Sequence, residues 1–231
     1  HWYRVIHITY PYSDKFIEIT RNYIKKYKPE LTIIHSTVKP GTTAQLGKNV
    51  VHSPINGRHP HLEEGIMKFT KFVGGNDVFS VFKAIHHLQE VGIKTEAMAN
   101  STTSEIAKVL CTTQYGIFLI IMKEIARLCE EFNVPFQEVY TNWNNAYNDG
   151  YSKLGEYRFM RPALYPMPGP IGGHCIVPNC DLLDDWLTEI VKGRNQIYKE
   201  EANEDRKENK TMASRIKQST RLRNRGRLRN S

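Results

Sequence analysis

The chain has 231 residues, with 32 Lys+Arg against 24 Asp+Glu for a net charge of +8, and 40% of its residues are hydrophobic. That length and apolar content make one large domain or one and a half with a sizeable core, which excludes global disorder. The longest apolar run, Ile117 to Met122, falls far short of the ~20 residues of a membrane span, and no charged-then-apolar leader marks secretion. Four cysteines, Cys111, Cys129, Cys175 and Cys180, suit a reduced, cytoplasmic compartment better than a disulfide scaffold. The basic excess belongs to one end: residues 206–231 hold ten Lys/Arg and one acid, Glu208. Nucleic-acid binding is therefore an expectation for the tail alone, non-specific and salt-sensitive. Because the first residue is His1 and not Met, a missing beginning is expected.

Residues 4–9 read as a strand closed by Tyr10-Pro11. Ser13-Asp14 then offers N-cap chemistry to a helix with Phe16, Ile19, Tyr23, Ile24 and Tyr27 on one face. Lys28-Pro29 stops it, and Leu31 to His35 reads as a second strand, so the first thirty-five residues form a βαβ unit with a parallel pair. Val50-Val51-His52 is a third short strand, and Asn76-Asp77 caps a helix through Phe79, Phe82 and Ile85. From Thr103 to about Phe132 the apolar positions keep a helical period, apolar all round at Ile117–Met122, which suits burial on several sides or a homodimer. A shorter helix follows from Pro135 to about Tyr147. Residues 148–180, rich in Gly, Pro and Tyr, read as a long functional loop. A helix from Asp181 to about Tyr198 leads into a low-complexity tail expected to be disordered. The predicted organisation is α/β: the later half of a Rossmann-like parallel sheet domain over 1–99, an all-helical central domain over 100–198, and a basic tail over 199–231.

Ligands of open parallel sheets sit beyond the carboxyl ends of the strands. Three segments occupy that place: Tyr10-Pro11-Tyr12-Ser13, the run Ser36-Thr37-Val38-Lys39-Pro40-Gly41-Thr42-Thr43, and Ser53-Pro54-Ile55-Asn56-Gly57. An ordinary helix cap and turn would produce the second equally well. In Gly169-Pro170-Ile171-Gly172-Gly173-His174-Cys175, two glycines allow close backbone approach and His174 stands next to a thiol it could help ionise. A zinc set of His174, Cys175 and Cys180 lacks both paired CxxC spacing and a fourth ligand, so no metal is expected. Lys108 lies on a mostly apolar helix, where its cation needs a partner; a surface pair with Glu105 is the plainest one.

In order and together, STVKPGTT after a strand, SPINGRHP, SEIAK opening a long helix and GPIGGHCIVPN resemble the UDP-glucose/GDP-mannose dehydrogenase family over about residues 3–185. The GGHC form is most similar to members acting on N-acetylhexosamine nucleotides. The resemblance implies NAD-dependent, two-step oxidation of a nucleotide sugar's C6 alcohol to a uronate, as in the UDP-glucose 6-dehydrogenase activity of polysaccharide biosynthesis. In its terms Cys175 is the thiol that forms a thiohemiacetal and then a thioester, Lys108 stabilises the oxyanion and Thr37 positions the catalytic water. Pro11, Tyr12, Ser36 and Thr37 then border the cofactor, and Lys108, Thr112, Gly172, Gly173, His59 and Asn179 the substrate, with a homodimer through the central helix.

Departures stand beside the match. Ile55 replaces the family's Glu after Ser-Pro, His59 its second acid, Thr112 an Asn and Asn179 an Asp. Ile55 cannot exchange a proton, so thioester hydrolysis would need another base, such as His59. No G-x-G-x-x-G occurs in the sequence, nor a third nucleotide-gripping domain, so the chain is expected to be a partial one that binds NAD poorly alone. Two alternatives follow: a non-catalytic descendant that binds a nucleotide or nucleotide sugar, and an interaction module acting through the basic tail.

Overall fold

The structure, a computed structural model, describes residues 4–57 and 60–227, the last fifteen of these as backbone only. Three parallel strands, β1 (Val5–Ile8), β2 (Leu31–Ile34) and β3 (Val50–His52), are followed in the same sheet by β4 (Lys71–Gly75) and β5 (Thr95–Ala97). Strand β4 runs antiparallel to β3, and β5 runs parallel to β4. The three expected strands form where the sequence places them; β4 and β5 are additional, and β4 reverses the direction of the expected parallel sheet. The β3–β4 connection, with the short helix α2 (Leu62–Lys68), brings the chain back antiparallel instead of crossing over.

Strand β2 is buried along its whole length, as a strand covered on both faces must be. Its side chains alternate between two cores. Leu31 and Ile33 join Val51 and Val73 under helix α3 (Val78–Gln89), which contributes Val81, Ala84 and Leu88. Ile34 joins Ile8 and Val50 under α1 (Phe16–Tyr27), which contributes the fully buried Phe16. Each such side chain stabilises the fold by about 1.5–3 kcal/mol relative to exposure. Asp77 caps α3 by accepting from Ser80 N at 2.8 Å. The face so set differs from the expected one: Ser80 and Ala84 let the helix sit close on the sheet, while Phe79 and Phe82 are 73% and 68% exposed. At the end of β4, Gly74 is obligatory, because a Cβ there would lie 2.4 Å from Ser104 Oγ and 2.5 Å from Asn100 O.

The long helix α4 (Ser101–Glu131) follows. By length and composition it could cross a membrane, which the count of consecutive apolar residues does not register; a third of its most apolar stretch is buried in the fold. A π-helical turn (Gln137–Asn142) then leads into α5 (Trp143–Lys153), which ends beyond the expected Tyr147. The Pro-rich loop ends in the short α6 (Ile176–Cys180), and α7 (Trp186–Arg227) closes the described chain. The disordered tail expected over 199–231 is thus helical through Arg227. No Pro or Gly interrupts 194–225, and i,i+4 contacts such as Gln196 to Glu200 and Thr211 to the Lys207 carbonyl support it.

The chain divides into two compact units. One takes residues up to Tyr115 together with His174–Thr188, the other Gly116–Gly173 and the chain from Glu189. The division falls inside α4, not at 99/100: its first turns belong with the sheet because their polar side chains are spent on the sheet's loops. In the second unit, Lys123 donates to the carbonyls of Met167 and Gly169. The 2%-exposed Asn195 accepts from Ile171 N at 2.6 Å. Both fix the Pro-rich loop.

Candidate active site

The first turns of α4 gather the loops at the carboxyl ends of β2 and β3. Ser104 Oγ lies 2.8 Å from His52 Nδ1, and His52 Nε2 lies 3.1 Å from the Ser36 carbonyl. A carbonyl can only accept, so Nε2 carries the proton and Nδ1 accepts from the serine hydroxyl. Burial, above all, pushes the fully buried His52 down to about 3, and it is neutral at physiological pH. One residue on, Glu105 is fully buried and accepts from Gly41 N at 2.5 Å and Thr43 N at 2.8 Å. The hydroxyl-rich loop is thereby pinned to the helix. Burial raises the Glu105 pKa against the bonds that favour its charge.

Lys108, one turn later, is half-buried and donates to the Ile55 carbonyl at 2.8 Å and to Asn56 Oδ1 at 3.2 Å. Glu105 and Lys108 therefore serve different loops, and the expected surface pair between them does not form. Burial lowers the Lys108 pKa, while Cys111 and Cys175 act electrostatically in the other direction. Cys175 is exposed at the N-cap of α6. Asn179 Nδ2 donates to Thr112 Oγ1 at 3.2 Å, and Cys180 Sγ lies 3.7 Å from Thr113 Oγ1. These two contacts seat the end of α6 against α4 at Thr112 and Thr113. The Cys175 thiol is near enough to the Lys108 ammonium to act on it electrostatically.

The other expected residues are placed as follows. Thr37 is half-buried in the Glu105-pinned loop, and among the described residues no hydrogen bond engages its hydroxyl. Ser36 Oγ donates to the Tyr10 carbonyl at 2.6 Å, which ties the first two loops together. The Tyr12 ring stacks on Phe16 with Lys39 over it, and Pro11 is exposed beside it. Gly172 and Gly173 belong to the second unit, in open surroundings; only Gly173, at φ +83°, requires glycine. His59 lies outside the described residues. Ile55 contributes its backbone carbonyl, not its side chain, to Lys108. Among the described residues no group of three or more His, Cys, Asp or Glu could hold a metal ion.

Sequence reasoning missed three buried groups: Glu105 as a loop clamp, His52, and Lys71 at the start of β4. Lys71 is 5% exposed and donates to the carbonyls of Ser53 at 2.7 Å and Pro54 at 3.1 Å. A lysine opening the strand-like Lys71-Phe72-Val73 before two glycines was the available signal.

A dinucleotide cofactor finds only part of a site here. The Ser36 hydroxyl is spent on Tyr10, the Tyr12 ring lies against Phe16, and no G-x-G-x-x-G turn seats a diphosphate. The residues present do not fit the whole group.

No protein-family model matches the sequence, and no curated protein matches it. Solved structures do. UDP-D-ManNAc dehydrogenase from Pyrococcus horikoshii superposes with a TM-score of 0.69 at 19% identity, over 84% of this chain and 50% of that one. NDP-N-acetyl-D-galactosaminuronic acid dehydrogenase from Methanosarcina mazei Go1 gives 0.64 at 20%, over 84% and 48%. The 3-hydroxyisobutyrate dehydrogenase of Mycobacterium tuberculosis gives 0.56 at 16%, over 87% and 74%. The chain has the Rossmann-like dehydrogenase fold, in the form seen in nucleotide-sugar dehydrogenases. It spans about half the length of the nucleotide-sugar dehydrogenases it matches.

Proposed function

We propose that this chain carries the substrate-side chemistry of a cytoplasmic NAD-dependent nucleotide-sugar 6-dehydrogenase, acting on an N-acetylhexosamine nucleotide or a UDP-glucose or GDP-mannose type substrate. The observation that carries the reading is the exposed Cys175 thiol within electrostatic reach of the half-buried Lys108 ammonium. Both lie in one compact unit, on a fold shared with such enzymes. In this reading the Cys175 sulfur adds to the aldehyde carbon, a C–S bond forms, and the carbonyl π pair moves to oxygen beside Lys108. Were a cofactor held by a complete site to take the hydride and leave a thioester, water would add to the same carbon. The C–S bond would then break, carboxylate would leave, and the thiol would be regenerated. Thr37, with its hydroxyl uncommitted, orients that water, and Thr112 and Asn179 border the sugar. NAD supplies the hydride acceptor when the complete site is present. A homodimer through α4 goes with this reading.

Protection from alkylation tests it. UDP-N-acetylglucosamine or UDP-glucose at millimolar concentration slows modification of Cys175 by iodoacetamide at least threefold and leaves Cys129 unchanged. Equal rates with and without either nucleotide sugar overturn the reading. Ile55, Thr112 and Asn179, where the family carries Glu, Asn and Asp, favour a second reading: a chain that binds the nucleotide sugar without turning it over. Protection without NADH formation, with NAD supplied, selects that one.

A further inference from the structure

The loop after β3 is held by its carbonyls. In the β3–β4 ladder, Val51 pairs with Gly75 and His52 with Gly74. Continuing that register would pair Ser53 with Val73 and Pro54 with Phe72, but strand β3 ends at His52. The Lys71 ammonium takes the Ser53 and Pro54 carbonyls, at 2.7 and 3.1 Å, and Lys108 takes the next one, Ile55, at 2.8 Å. Three consecutive carbonyls thus face two lysines on two different elements. His35, beyond β2, lies 2.9 Å from the Ser53 carbonyl through Nδ1, and its Nε2 lies 2.8 Å from His7 Nδ1. The Ser53 hydroxyl is buried and has no partner among the described residues, so the loop is oriented through its backbone.

We propose that Lys71 is a positioning residue of the candidate site: it holds the Ser53–Asn56 loop by two carbonyls so that the third is presented to Lys108, and its charge sets how firmly that loop holds Lys108. This rests on the reading of Lys108 and Cys175 as a site. The groups facing Lys71 electrostatically are basic: Lys108 from α4, His35 beyond β2, His52 on β3 and His7 on β1. Both acceptors of Lys71 are neutral carbonyls. Burial, and then repulsion from Lys108, bring Lys71 down to about 7. Losing its proton leaves an amine that still has two N–H donors for the two carbonyls, but it weakens both bonds and removes the repulsion between the ammoniums. The loop then grips Lys108 differently on the two sides of neutrality.

The test compares wild type with Lys71→Gln and Lys71→Arg. Two readouts are taken from pH 6 to 9: the thermal midpoint, and the rate of Cys175 alkylation by iodoacetamide, normalised to glutathione at each pH. A lysine whose native pKa lies below its unfolded value costs stability while it is charged, so wild type gains on Lys71→Gln as pH rises through 7 toward 10. The normalised Cys175 rate is expected to change at least twofold across pH 7 in wild type. In both variants it stays flat, since neither Gln nor Arg titrates there. Variants that fold and reproduce the wild-type Cys175 profile overturn the proposal, because a merely space-filling Lys71 would shift the midpoint and leave that profile alone. If nucleotide sugars fail to protect Cys175 but its pH step still vanishes in both variants, the dehydrogenase reading falls and the role of Lys71 stands.

Discussion

Two glutamates on one helix, Glu105 and Glu124, face opposite circumstances. Glu105 is fully buried and satisfied by two backbone amides, and burial raises its pKa. Glu124 is partly exposed. Burial pushes it up too, but bonds from Arg194, Tyr198 and Arg127 outweigh that and hold it below the ordinary carboxylate range. The first is surrounded by neutral dipoles whose only purpose is to fix a loop. The second sits in a cationic and aromatic cluster, with Tyr198 under both Lys123 and Arg194. A buried acid without a counter-ion is tolerable only where fixed donors replace water. Here those donors belong to the hydroxyl-rich loop of the candidate site.

Removing the first acid is expected to have the largest consequence. Glu105→Ala strands the amides of Gly41 and Thr43 in a dry setting, at about 1–3 kcal/mol apiece, or about 2–6 kcal/mol together. Glu105→Gln keeps one acceptor and should fall midway. Urea titration of both variants measures this; a loss below 1 kcal/mol for Glu105→Ala would mean that the loop does not depend on the helix.

Acid should attack the same region next. His35 and His52 are both pushed down to about 3, mainly by burial. Native imidazoles with depressed pKa values are neutral while the unfolded chain takes up protons below 6.5. Stability is therefore intact above about pH 6.5 and is lost as pH falls toward 3, by about 3 kcal/mol per histidine at pH 4. Glu105, raised in the fold, acts with the opposite sign, and the two histidines outnumber it. Thermal midpoints from pH 7.5 to 4 should fall steeply, and His52→Gln should flatten the curve. An unchanged midpoint at pH 4.5 would contradict the buried, neutral assignment.

Gly74→Ala probes the contact that seats the start of α4 on the sheet. The added Cβ meets Ser104 Oγ and Asn100 O within 2.5 Å, and one of these is backbone that cannot swing away. A loss of about 1–3 kcal/mol is expected, readable as a lower urea midpoint. No loss would show that α4 can shift on the sheet.

Much of this was legible from residues alone. β2 and β3 are short β-branched runs, Asp77 announces the cap of α3, and α4 declares its period through Ile106, Leu110 and Ile117. The segments around Thr37, Ile55, Lys108 and Cys175 stood out by order and spacing. β4 did not, because its lysine and two glycines depress strand propensity; its formation depends on pairing with β3. Nor did the buried face of α3, since Phe79 and Phe82 outweigh Ser80 and Ala84 in any hydrophobicity count. The roles of Glu105, His52 and Lys71 were hidden for one reason. Each is defined by a backbone carbonyl or amide brought to it from a distant loop, and backbone groups leave no mark in a sequence.

The smallest effect belongs to Glu124 and completes the comparison. Its side chain and that of Arg194 are 28% and 32% exposed, so water and salt screen the pair, and such contacts are worth about 0–1 kcal/mol. Glu124→Gln keeps an acceptor for the Tyr198 hydroxyl while removing the charge, so the change should stay under about 1 kcal/mol and shrink in 1 M NaCl. Tyr198 is more telling than stability here. Burial first, and then the bond to Glu124, push its pKa up to about 12. Without the carboxylate its phenol should ionise at lower pH, followed by the rise in absorbance of the tyrosinate. A stability loss as large as that of Glu105→Ala would mean that burial is not what separates the two glutamates. A small loss with an earlier phenol titration is what partial exposure and a charge-assisted hydrogen bond together require.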